Sequence, residues 1–198
     1  MADNLAISGY TYGTRAVPRA PISLAEFELL KQTVLFGDDD VKALRQSQAV
    51  LKDQVEAILD VWYGFVGSNP HLLSSFVRVS DGQPDTDYLG AVRKRFAQWI
   101  LDTAGGQYDQ AWLDYQFEIG RRHHRIGKNE TDRAAAAPHI SFRYLPALLY
   151  PVTATLRPFL MKQGHSPAEV GAMHQAWIKS VLLQVILWSH PYVKSGDF

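Results

Sequence analysis

Seven histidines are the only strong nitrogen ligands in this chain, which contains no cysteine. The lack of thiols removes disulfide frameworks, thiolate nucleophiles, zinc ribbons, iron–sulfur clusters and tethering of a cofactor through paired thioethers. No HExxH pair for a zinc hydrolase occurs, nor a Gly-rich phosphate loop, nor a GxSxG elbow. Imidazole chemistry is what remains. Most of the histidines have ordinary roles by position: His71 and His139 sit beside prolines at expected helix starts and His165 follows Gly164 in a turn. His190 closes the last predicted helix, where a partly charged ring favours the terminal carbonyls.

His123 differs because of its neighbours. On a predicted helix from Asp109 to Ile126, the residues Trp112, Gln116, Ile119, His123 and Ile126 fall on one stripe, so this imidazole faces inward in apolar company. His124 lies about 100° around the helix, nearer the flank. Gly120, one turn before His123, leaves space for a large flat object to approach the backbone. Two uses stay open here, a core histidine bonded to a carbonyl or a metal ligand, and the local pattern by itself favours the first. Trp62-Tyr63 and Phe96, inward on two other predicted helices, would supply an apolar wall with one phenol donor. Aromatics at helical spacing are more often plain core than a cofactor box.

The elements that must hold these residues are helical. Ser23-Leu24-Ala25-Glu26 is a capping box, followed by Leu24, Phe27, Leu30 and Val34 at helical spacing. From Asp38 a three-four rhythm runs to Val66, as one long helix or two abutting ones, and Asn69-Pro70 breaks it. A stripe over Tyr88 to Ile100 stops before Gly105-Gly106, and the helix carrying His123 is expected to stop at Gly127. Residues 139 to 163 read as a helix bent by Pro146, Pro151 and Pro158. Ser166-Pro167-Ala168-Glu169 caps the last helix, which runs to Ser189. No sustained period-two alternation occurs, which predicts an all-α chain. Seven or so helices suit a globin-like packing better than a four-helix bundle.

Composition sets the frame. At 198 residues and 46% hydrophobic content, one domain spanning 1–198 can bury a core without staples. Twenty basic and twenty acidic residues leave no net charge, so no general attraction to nucleic acid or anionic lipid is expected. Met1 to Pro21 shows no signal-peptide pattern, and no run of about 18 apolar residues is evident, which predicts neither export nor membrane spanning but a cytoplasmic protein. Gly9, Gly13, Pro18 and Pro21 mark residues 1–21 as an irregular arm that Tyr10 and Tyr12 could pin to the body.

Five stretches carry a resemblance: Gly9-Tyr10-Thr11-Tyr12-Gly13, LKDQVEAILDVWYGFVGSNPHLL (51–73), YLGAVRKRFAQWILDT (88–103), YDQAWLDYQFEIGRRHHR (108–125) and LLQVILWSHPYVKSGDF (182–198). The sequence is similar to protoglobins, single-domain relatives of globin-coupled sensors, along essentially its whole length. The resemblance implies an expanded globin fold, a 3-over-3 helical sandwich with an extra N-terminal helix (23–36) and an arm. It implies haem b, with His123 as the proximal iron ligand and Tyr63 and Phe96 on the opposite face. Trp62 and Phe76 match pocket-forming or supporting positions. Deep burial of the haem, narrow apolar tunnels for small gases, and a homodimer through the last two long helices are implied as well. Two departures stand out: Leu148 replaces a common phenylalanine and would open the distal pocket, and Pro146 is expected to free the Phe142 carbonyl. Val152, one turn after Leu148, is a further pocket candidate. Arg93, Arg95, Arg121 and Arg122 could reach the propionates, and helix position does not choose among them.

The expected function is therefore reversible binding of dioxygen, carbon monoxide and nitric oxide for sensing, storage or scavenging. No output domain is expected after Phe198, so signalling would act through a partner or the dimer. One alternative is a haem enzyme with nitric oxide dioxygenase or peroxidase-like activity, for which no reductase domain is expected in this sequence. Another is a haem-free helical interaction module that leaves His123 in the core.

Overall fold

The computed structural model describes residues 7–198; the first six residues of the predicted arm lie outside it. Eight α-helices follow in order: α1 (Leu24–Thr33), α2 (Asp38–Leu51), α3 (Val55–Gly67), α4 (Pro70–Leu73), α5 (Thr86–Gly105), α6 (Gln110–His123), α7 (Tyr144–Leu160) and α8 (Pro167–Ser189). Only two isolated β-bridges, Val77 with Pro84 and Arg78 with Ala136, occur among the described residues. The all-α expectation holds.

The helix starts are written in the local sequence. Ser23 and Glu26 close a reciprocal capping box on α1, as Ser166 and Glu169 do on α8, each satisfying backbone donors that a helix start leaves free. Asp85 and Asp109 cap α5 and α6. The long apolar rhythm after Asp38 resolves into two abutting helices, separated by a 3-10 turn over Lys52–Gln54.

Helix α8 packs on α7, α2 and α6, α2 packs also on α5, and α3 packs on both α5 and α7. Pro167–Tyr192 is apolar and long enough to cross a membrane by composition, with mean hydropathy 1.2 over its best window. His174, Gln175, Lys179 and Gln184 interrupt it, so it contains no unbroken run of about 18 apolar residues. In the fold the helix runs through the core: Met173, Ala176, Trp177, Ser180, Leu183 and Gln184 are fully buried. Its buried polar groups are paired, since the Trp99 indole donates to Gln184 at 2.6 Å and Gln184 to Thr103 and Ser180 at 3.2 Å. Such pairing removes the penalty of burying an amide unsatisfied.

Two boundaries differ from expectation. Helix α6 ends at His123, not Ile126, and His124 turns extended (φ −92°, ψ 158°) while its N–H still bonds the Gly120 and Arg121 carbonyls. Ile126 therefore leaves the inward stripe and is 44% exposed. Gly127 is not a helix stop; a Cβ there would lie 2.9 Å from the Arg121 carbonyl oxygen, because the chain doubles back across the end of α6. Helix α7 begins at Tyr144, which puts Pro146 in its first turn and only Pro151 and Pro158 in its interior. A first-turn proline gives up an N–H that has no helical partner anyway. The Phe142 carbonyl is not freed, because it accepts from the Leu145 N–H at 2.9 Å.

Candidate functional site

The apolar faces of α3, α5, α6, α7 and α8 do not close on one another but surround a cavity of about 270 Å³. All seven residues singled out in the sequence line it: Trp62, Tyr63, Phe76, Phe96, His123, Leu148 and Val152. They come from four helices and one 3-10 turn, which is why no short motif announces them.

His123 stands on the α6 side. Its Nδ1 lies 2.8 Å from the Ile119 carbonyl oxygen, which can only accept, so Nδ1 carries the proton and Nε2 keeps its lone pair. Nε2 has no hydrogen-bond partner among the described residues. Burial lowers the pKa of the ring, with the Ile119 bond opposing and the Lys128 charge adding to the fall; a neutral imidazole with a free nitrogen is the form that ligates a metal. The Trp188 ring stacks on it at 5.4 Å and 18°, held by a bond from its indole N–H to Gln116 at 2.9 Å. The space beside Gly120, expected to admit a flat group, is filled by α8: a Cβ there would lie 2.9 Å from the Trp188 Cα. Gly120 thus serves the approach of two helices.

The α3 and α5 part of the lining is aromatic. Phe96 meets Trp62 edge-on at 5.8 Å and Trp99 at 5.2 Å, and Tyr63, Leu148 and Val152 pack against the same cluster. The Tyr63 hydroxyl bonds no described residue, and burial raises its pKa well above the ordinary phenol value, so it stays a protonated donor. Tyr144 and Trp188 also line the cavity and were not anticipated; each lies on a helix other than the one whose periodicity pointed to His123.

The remaining histidines have other surroundings. His124, His139 and Tyr192 form a mutual ring cluster with centroids 4.9 to 5.4 Å apart, and His139 precedes α7 by several residues. His190 does not serve the helix end; burial lowers its pKa and its ring lies between Phe117 and Phe198. No group of three or more His, Asp or Glu side chains gathers to hold a metal among the described residues.

The arrangement of helices and cavity is that of a globin: the globin domain of a Geobacter sulfurreducens globin-coupled sensor superposes with a TM-score of 0.63 over 84% of this chain and 97% of that one, at 16% identity. Within that class, the protoglobin family model matches residues 23–198, and the chain belongs to the protoglobin family. No curated protein sequence matches it. Family membership implies a haem cofactor, and the residues present fit one: a mostly apolar cavity, an inward neutral imidazole with an unpartnered nitrogen, and aromatic side chains from α3 and α5 in the same lining.

Proposed function

We propose that this protein is a haem b globin that reversibly binds dioxygen, carbon monoxide and nitric oxide, as a single cytoplasmic globin domain. His123 would hold the iron through Nε2, and Tyr63, Trp62, Phe76, Phe96, Leu148 and Val152 would wall the pocket. One observation carries the reading: in a mostly apolar cavity, His123 Nε2 is left without a partner while Nδ1 is fixed to the Ile119 carbonyl at 2.8 Å. A neutral imidazole nitrogen that lines a cavity and meets no protein partner is free to ligate a metal. Haem supplies the metal at which a diatomic binds. The chain's own part is to hold the imidazole by Trp188 and Ile119, to exclude water with Phe96 and Trp62, and to offer the Tyr63 hydroxyl as a hydrogen-bond donor to a ligand with negative charge.

A homodimer through α7 and α8 is part of the proposal. Tyr150 of α7 and Met161, which follows its last residue, are 77% and 61% exposed, and Leu182 of α8 is 36% exposed; apolar groups left outward on these two elements suit a second copy.

The test is the absorption spectrum of haem-loaded protein, ferric and dithionite-reduced, with and without carbon monoxide. His123→Ala is expected to abolish the five-coordinate ferrous spectrum and His124→Ala to leave it in place. The reverse result would move the ligand by one residue and contradict the geometry above.

A further inference from the structure

A chain of three phenols joins the cavity wall to the surface. Tyr115, on α6 two turns before His123, is buried and lines the cavity. Behind it stand two rings of the arm: Tyr10 and Tyr12 each meet it edge-on at 5.5 Å, at 77° and 72°, and lie 6.3 Å from one another. Both arm rings are half-buried, so each keeps an outer edge in solvent. Arg122 donates to the Gly9 carbonyl at 2.6 Å and to the Thr11 hydroxyl at 3.0 Å, which fixes the chain on either side of Tyr10.

A phenol gives up an electron readily only where a base takes its proton, because the oxidised ring is a strong acid. Three tyrosine hydroxyls donate a hydrogen bond among the described residues: Tyr108 to Ser180, Tyr192 to the Ile140 carbonyl, and Tyr10 to Asp102. Only the carboxylate can take a proton. Tyr10 donates to Asp102 Oδ2 on α5 at 2.8 Å, within the reach that proton transfer needs, and the Gln98 amide holds Oδ1 at 2.8 Å. Burial raises the Asp102 pKa, with the bonds from Gln98 and Tyr10 opposing, which makes it a stronger base than an exposed carboxylate. The indoles near His123 lack such a partner. Trp188, stacked on His123, and Trp99, 6.2 Å from it, donate their N–H groups to the Gln116 and Gln184 amide oxygens. An amide does not take up the proton, so a charge left on either ring has no resting place there.

We infer that Tyr10 is a redox-active tyrosine that carries electrons from small donors at the arm to an oxidant in the cavity, passing its proton to Asp102. The inference rests on the haem reading, since bound haem is what draws oxidising equivalents from hydrogen peroxide. An electron leaves the Tyr10 ring for the cavity by way of Tyr115, and the hydroxyl proton moves to Asp102 Oδ2. A neutral phenoxyl remains. A donor of the ascorbate or simple phenol class then gives one electron back to Tyr10, Asp102 returns the proton, and the donor's own proton goes to solvent. Two such turns supply two electrons, and solvent supplies two protons; the O–O bond of hydrogen peroxide breaks, and two waters and two donor radicals result.

The experiment mixes haem-loaded protein with hydrogen peroxide and no donor, follows the radical by rapid-freeze electron paramagnetic resonance, and locates it with a nitroso spin trap and peptide mass spectrometry. The wild-type chain is expected to give a tyrosyl signal and a trap adduct on Tyr10, and ascorbate added afterwards should remove the signal. Tyr10→Phe should lose that signal. Asp102→Asn, which keeps the ring in place but removes the base, should slow its appearance about a hundredfold or more, the usual worth of a positioned proton acceptor. Tyr115→Phe should slow it as well and leave the adduct on Tyr10. An adduct on Trp188, Tyr63 or any other residue with none on Tyr10 overturns the inference, as does a signal that forms at the wild-type rate in Asp102→Asn or Tyr115→Phe. The wild-type adduct decides the matter without any variant, should one fail to fold. A chain that binds haem but forms no radical, or forms it elsewhere, leaves the haem reading standing and refutes this one; a chain that binds no haem refutes both.

Discussion

The Tyr63 phenol is held as a donor by its surroundings. Burial keeps it protonated at any physiological pH, and the nearby Arg93 guanidinium, 5.5 Å from the ring, opposes that rise without cancelling it. A donor without a protein partner in a low-dielectric cavity interacts strongly with a ligand that carries partial negative charge and weakly with one that does not. Tyr63→Phe is therefore expected to speed dioxygen dissociation by about ten- to a hundredfold, the equivalent of about 1.5 to 3 kcal/mol, with carbon monoxide dissociation little changed. Stopped-flow displacement on both ligands checks this, and equal acceleration of the two would mean that the ring acts by filling space. The inward placement of His123, Tyr63 and Phe96 was legible in the sequence from the apolar stripes of their helices, whereas a use beyond plain core came only from the resemblance to protoglobins. That Arg95 and Arg122 line the cavity while Arg93 and Arg121 do not was not legible, because only the folded helices and the arm that crosses them decide it.

At the scale of elements, the site depends on how closely α6 meets α8. Gly120 faces the Trp188 backbone, and a Cβ would stand 2.9 Å from its Cα and 3.0 Å from its carbonyl oxygen. Backbone atoms in a packed helix pair cannot move aside as a flexible side chain would. Gly120→Ala should destabilise the protein by about 1 to 3 kcal/mol, the range for overpacking, and push the Trp188 ring off His123. Urea unfolding reads the first effect and the iron–histidine stretching frequency of the ferrous protein the second. A variant as stable as the wild type with an unchanged frequency would show that the helices can part without cost. The sequence made this glycine visible but not its purpose, since the partner backbone lies far along the chain. The capping boxes of α1 and α8 were legible because their bonds are local; the end of α6 was not, because the chain turns back through a contact between Gly127 and the Arg121 carbonyl.

For the whole molecule, buried phenols couple folding to alkaline pH. Burial is the largest cause in each case: it raises Tyr12, Tyr88, Tyr115 and Tyr192 from 10.0 to about 12, and Tyr10, Tyr63 and Tyr108 higher still. Tyr10 adds a hydrogen bond to Asp102 at 2.8 Å and packs with Tyr12 on Tyr115, so the arm shares in the effect. The unfolded chain releases these protons near pH 10 while the folded chain retains them, so the unfolded state binds fewer protons and stability falls as pH rises from about 10 to about 12. Lys128 acts the other way: its pKa, lowered to about 8 from 10.5, makes stability rise between those values, but it is one group against seven. The apoprotein is thus expected to keep its urea midpoint up to about pH 10 and lose it steeply above. Tyrosinate absorbance from most of its phenols should grow only together with loss of the helical circular dichroism. A smooth titration of all the phenols near pH 10 with the helices intact would mean that the core and arm do not shield them, and that the cavity is far wetter than its walls imply.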